Sequence, residues 1–147
     1  MKPFIYCIIA LLSLTILSCA KDKATDISSP ASPSSDPRTG YIANWAASEN
    51  STVSGTANTF TVNITKSTSS STAIIIENFY GLNTYTVSAT VTNNVFNIPF
   101  QAIKNNTNST IGFASGSGTL TTSSKINLTY TTSISGNRDS CSTVYTK

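Results

Sequence analysis

Beyond Arg38, few side chains can do acid–base or nucleophilic chemistry: the carboxylates Glu49, Glu77 and Asp139, and the thiol of Cys141. Two carboxylates could serve as a pair at a glycosidic bond, one as acid and the other as base or nucleophile. Glu77 ends the apolar run Ala73-Ile74-Ile75-Ile76, where partial burial would raise its pKa. Against that chemistry, the three acids stand on distant segments. The chain also has no histidine, so it lacks the commonest general base and the commonest neutral metal ligand. Cys141 alone cannot build a zinc site, which takes about four ligands, and without a histidine partner it is a poor nucleophile. It reads as a small buried side chain in the last strand. The triplet Gly116-Ser117-Gly118 has neither the spacing nor the following helix of a phosphate-binding turn, and reads as a bulge or close-packing point in a strand. The expectation is a protein that is not an enzyme, with no catalytic residue, no metal and no cofactor.

The other reactive side chain is Cys19, near the N-terminus. Lys2 supplies a positive charge, and Pro3 to Ser18 is an uncharged run of mostly Phe, Ile, Leu and Ala. That run falls short of the about 20 residues a membrane-spanning helix needs, and has the proportions of a secretory signal peptide. It ends in Ile16-Leu17-Ser18-Cys19, which resembles the bacterial lipobox, with Ile16 where Leu is usual. The resemblance implies cleavage between Ser18 and Cys19, acylation of the Cys19 thiol and an anchor in membrane lipid. Two acyl chains suffice for stable anchoring, at about 0.8 kcal/mol per buried CH₂. The alternative, a disulfide from Cys19 to Cys141, would close nearly the whole mature chain across a flexible linker, and Cys7 would leave with the signal. Lys21-Asp22 resembles, over two residues, the surface-export signal of Bacteroidota lipoproteins. The expected location is therefore the bacterial cell envelope, lipid-anchored at the outer membrane, on its periplasmic face or at the cell surface.

Three regions follow: residues 1–18 as signal, 19–38 as lipidated cysteine and linker, and 39–147 as the folded domain. The segment Ala20 to Arg38 is rich in Ser, Pro, Ala and charge and has too little apolar surface to offset its chain entropy. Ser and Thr make up about a third of the whole chain, and the formal net charge is +3. With no basic stripe, nucleic acid is not a partner.

No segment after Arg38 keeps a helical apolar period. Apolar and hydroxyl residues alternate instead, in short runs punctuated by turn residues. Phe60, Val62 and Ile64 form one such set, Tyr85, Val87, Ala89 and Val91 another, and Ile126, Leu128 and Tyr130 a third. Asn93-Asn94 signals a tight hairpin, and Pro99 a bend or an edge. With Tyr41 to Ala46 as the first strand, the pattern predicts about eight short antiparallel strands. Short sequential connections and the need to remove edges favour an all-β, up-and-down barrel; a two-sheet sandwich is the alternative.

The stretch DPRTGYIANWAASEN, Asp36 to Asn50, resembles the opening of small Bacteroidota lipoproteins with a lipocalin-like, or calycin-like, domain, in which an Arg and an aromatic precede Gly-x-Trp. Arg38, Tyr41 and Trp45 fit, and Ala43 stands where Gly is usual. The ending DSCSTVYTK is similar to the closing strand of that group. The resemblance implies a closed or nearly closed antiparallel barrel. It also implies that Trp45 packs across the barrel floor with a basic residue against it, or lines a ligand pocket together with Arg38 and Tyr41. The implied function is non-enzymatic binding of a small apolar molecule or glycan fragment at the barrel mouth. The alternative is a filled barrel that meets an envelope protein, including as an inhibitor of an envelope hydrolase.

Overall fold

The computed structural model describes residues 35–147. Ser18, Cys19, Cys7 and the first part of the linker lie outside the described residues. The alternating runs become eight strands: β1 Ala43–Ser51, β2 Ala57–Lys66, β3 Ala73–Glu77, β4 Tyr85–Thr92, β5 Val95–Asn105, β6 Thr110–Thr122, β7 Lys125–Ile134 and β8 Asn137–Thr146. Each pairs antiparallel with the next, and β8 returns to β1 with Ala46 opposite Thr146 and Ser51 opposite Cys141. That last pairing decides between the two expected architectures. The sheet is a closed up-and-down barrel, and closure leaves no edge to protect.

Three of the connections are tight because their left-handed backbone positions fall on residues that tolerate them. Asn93, Asn108 and Gly136 have φ of 56°, 64° and 82°. The first strand departs from expectation. Thr39–Tyr41 is a turn of 3-10 helix, and β1 starts at Ala43 and runs on to Ser51. Just before that turn, Arg38 is buried and its guanidinium is bonded to Asp36.

Period-two alternation fills the interior. Val62, Ile64, Ile74, Ile76, Val87 and Val91 point inward, facing Ile126 and Leu128 across the barrel core. Within the apolar run of β3, Ile75 turns outward and is only half-buried, so that strand is covered on one face. Phe113 faces out, because Gly112 and Ala114 take the inward positions beside it.

The Gly116–Gly118 triplet is a close-packing point. A Cβ on Gly118 would collide with the Phe96 ring, and one on Gly116 with the Tyr130 backbone. The bare backbone of β6 gives the Phe96 ring and the adjoining β7 backbone their space. Gly118→Ala is expected to lower stability by about 1–3 kcal/mol through overpacking, measurable as a reduced midpoint in chemical denaturation; an unchanged midpoint would mean Phe96 has room to move.

β5 carries an irregularity that matters below. Between Ile98 and Gln101 it holds one residue more than β6 opposite, so Pro99 and Phe100 bulge out of the ladder. The pairing to β4 is interrupted at the same place, between Thr86 and Thr90. The Gln101 side chain fills in for the missing backbone. Its Oε1 accepts from the Ser88 N–H at 2.9 Å and its Nε2 donates to the Ser88 carbonyl at 2.6 Å.

Candidate functional site

At the end of the barrel where β1 begins, the N-terminal approach forms a floor. Arg38 grips Asp36 twice, Nε to Oδ1 at 2.9 Å and Nη2 to Oδ2 at 2.8 Å. Its Nη1 donates to the carbonyls of Ser67 and Ser70 at 3.1 and 2.7 Å, tying the β2–β3 turn to the chain entry. The Arg38 guanidinium, helped by Lys66, holds the Asp36 carboxyl well below the usual range. Trp45 is fully buried, and its indole N–H donates to the Tyr41 carbonyl at 2.8 Å. The basic group over the indole is Lys147, with Nζ 4.3 Å from the ring centroid. Tyr41 packs edge-on to Phe96, and burial pushes its hydroxyl up to about 12. Arg38, Tyr41 and Trp45 thus come together as a packed plug.

The opposite end is closed from above by the turn Phe79–Gly81. Phe79 is buried 4.6 Å from the Tyr130 ring, and Tyr80 holds φ at 60°, a strained value for a bulky residue. Beneath it lie the two inward carboxylates. Glu49, 1 % exposed, accepts hydrogen bonds from the hydroxyls of Tyr130 and Thr143. Asp139, 4 % exposed, accepts from Ser51 Oγ at 2.6 Å, Tyr80 OH at 2.7 Å, Thr52 Oγ1 at 2.9 Å and the Val53 N–H at 3.2 Å. Burial raises the pKa of Glu49, and the neighbouring charge of Asp139 adds to the rise while the two hydroxyls resist it. Burial works against ionised Asp139 too, but the hydroxyls of Ser51, Tyr80 and Thr52 and the Val53 amide outweigh it and hold the carboxyl well below its ordinary value. Cys141, beside both acids, is pushed up to about 12, first by burial and then by their charges.

One carboxyl held toward its protonated form beside another held ionised is the division of labour of an acid–base pair. Here, however, the protein's own hydroxyls occupy the hydrogen-bonding positions, and the Phe79–Gly81 turn covers them. In this conformation both carboxylates are buried. Glu77, at the end of the apolar run, is half-buried on the outer side of β3 and accepts from Asn63 Nδ2 at 2.8 Å.

The sequence carried a signal for the inward acids. Glu49 shares the parity of Trp45 on β1, and Asp139 that of Cys141 and Tyr145 on β8. Ending the first strand at Ala46 hid it. Among the described residues, no group of three or more Cys, Asp or Glu side chains could hold a metal.

The grooves lie on the outside. One of about 630 Å³ crosses β6, β7, β8 and the end of β1, over Ser117, Thr129 and Ser142. A second, of about 280 Å³, lies between Phe100, Phe113, Ser133 and Arg138. Phe100 is 75 % exposed and Phe113 44 %, and their rings are stacked 5.2 Å apart at 8°.

No family model matches the chain, and no curated protein does. Among solved structures, a protein of unknown function from Bacteroides ovatus aligns at 16 % identity and a TM-score of 0.45 over 72 % of this chain, which spans 41 % of that one. A redesigned β-barrel aligns at 11 % identity and a TM-score of 0.53, over 76 % of this chain and 95 % of its own. The likeness to the redesigned barrel is one of fold: this chain is a closed antiparallel β-barrel of eight strands.

Proposed function

We propose that this protein is a lipid-anchored component of the bacterial cell envelope, held at the outer membrane through acylated Cys19, whose barrel binds another envelope component through its outer face without catalysing a reaction. The observation that carries this reading is the contrast between inside and outside. The interior is packed with its own side chains and plugged at both ends by Trp45 and Phe79, while a stacked aromatic pair and two grooves face solvent. Of the two functions weighed from the sequence, a ligand in the mouth calls for an open cavity, and a partner on the outside calls for a filled barrel and an exposed patch. The absence of histidine and the sealing of both inward carboxylates favour a binding role over a chemical one.

Native mass spectrometry of the full chain from its own host tests the reading. The mass of the acylated protein with no further small molecule bound is expected. A small molecule that stays bound after Phe100 and Phe113 are removed would place the ligand inside and end the outer-face reading. The anchor is tested separately. Cys19→Ala is expected to move the protein from the membrane pellet to the soluble fraction nearly completely, since two acyl chains are what make anchoring stable. A variant that still pellets would refute acylation at that residue.

A further inference from the structure

We propose that the outer face of β5 to β8 binds a neutral polysaccharide, with the Phe100–Phe113 pair as the platform for one sugar ring and the neighbouring hydroxyl rows as the track for the rest of the chain. This rests on the reading that the barrel works through its outside.

The platform is built by the backbone. The bulge at Pro99–Phe100 throws Phe100 outward, and Phe113, on the adjacent strand, stacks against it at 8°. With three-quarters of Phe100 exposed, the ring face away from Phe113 is open to water. Among the described residues, the other large exposed hydrophobics are Val53 and Val95, in or beside turns at opposite ends of the barrel, so the aromatic patch stands alone. A stable protein interface buries roughly 1,200–2,000 Å² around an apolar centre. Two rings in a field of hydroxyls supply an anchor but no apolar surround, and they fit a smaller amphipathic unit. A pyranose is such a unit: its C–H face packs on an aromatic ring, and its edge hydroxyls need donors and acceptors nearby.

Those groups border the rings. Ser115, Thr131, Ser133 and the Arg138 guanidinium line the smaller groove with them. The guanidinium offers several N–H donors to hydroxyl oxygens. As the one charged side chain in that wall it does not make the basic surface an anionic polymer calls for.

The site does not end there. Ser115 and Thr131 line both grooves, so the small one opens into the larger. Along the larger groove the strand register sets Ser117, Thr129, Ser142 and Asn50 in one cross-strand row, with Ser115, Thr131 and Ser140 in the row beside it. Strand spacing puts neighbouring side-chain positions about 4.8 Å apart across the sheet and about 6.7 Å apart along it, intervals on the scale of a sugar unit, and the Ser115 and Thr131 hydroxyls lie 3.3 Å apart. A groove that continues into a second one suits an internal stretch of a chain rather than its terminus.

The test is isothermal titration of the full chain in mild detergent with soluble β-glucan, α-glucan, mannan and xylan, and with a sulfated polysaccharide as control. At least one neutral polymer is expected to bind. The Phe100→Ala/Phe113→Ala double variant should bind it at least tenfold more weakly with an unchanged melting temperature, because both rings are outside the core. No binding to any of the four, binding indifferent to the two rings, or binding of the sulfated polymer alone overturns the proposal. Sedimentation of the same samples separates it from the reading beneath it. A wild-type dimer that the double variant abolishes would make a second copy of this chain the occupant, overturning the polysaccharide while leaving the outer face as the working surface.

Discussion

Trp45→Ala is expected to destabilise the barrel by about 3–5 kcal/mol, the range for truncating a large aromatic in a core. The position leaves little room for relaxation. Trp45 is fully buried at the start of β1, its N–H is committed to the Tyr41 carbonyl, and Lys147 lies over its ring. Removing the indole opens a cavity at the floor, frees a buried carbonyl and detaches the C-terminus from its cation–π contact. Equilibrium denaturation checks this. Trp45→Phe should recover part of the loss, since it restores much of the ring volume but not the N–H. A melting temperature untouched by Trp45→Ala would mean that the indole lines a pocket instead.

The second large effect separates the two inward carboxylates by pH. Asp139 is held ionised by donors from the β1–β2 turn, the Phe79–Gly81 turn and β8 itself, so it pins three segments together. In Asp139→Asn an amide N–H₂ must face some of those donors. Hydrogen bonds to a charged group are worth roughly 1.5–3 kcal/mol each, and a loss of about 3 kcal/mol at neutral pH is expected. Because its folded pKa is depressed, the contribution of Asp139 is fully present above the unfolded value near 3.9 and is lost as pH falls below it.

Glu49 has the opposite sign. Its folded pKa is raised, so the native state binds more protons than the unfolded one, and stability declines as pH rises from about 4.3 through the folded pKa. Glu49→Gln keeps an acceptor for Tyr130 and removes the buried charge, and should raise stability at pH 8 by about 1–2 kcal/mol while changing little at pH 4. Denaturation midpoints measured from pH 3 to 9 should therefore show a smaller acid-side fall in Asp139→Asn, the remainder belonging to the ion-paired Asp36, and a smaller alkaline-side decline in Glu49→Gln. Parallel curves for wild type and both variants would show that neither group titrates differently on folding.

Why the inward acids escaped the sequence reading is instructive. Strand alternation is a local property, and parity alone says that Glu49 travels with Trp45. It does not say how long the strand is. The pairing of Asn50 and Ser51 with β8 lengthens β1, and that pairing exists only once the ends of the chain meet. The face of β3 on which Glu77 lies was illegible for a similar reason. A continuous apolar run does not reveal which residue faces in, and the partner strands put Ile74 and Ile76 inside and Glu77 out.

By itself, the sequence determined the strand content, the turns and the all-β class, because period-two patterning and turn residues act over a few neighbours. It also determined that no histidine of this chain can take part in a site, since folding cannot supply one. Closure was left to the tertiary structure, because the β1–β8 seam joins residues almost a domain apart and no local pattern encodes it. So was the outer surface. Phe100 and Phe113 are ordinary strand aromatics in the sequence, and only the bulge in β5 and the inward Gly112 and Ala114 turn both to the same side, where stacking makes one platform of them.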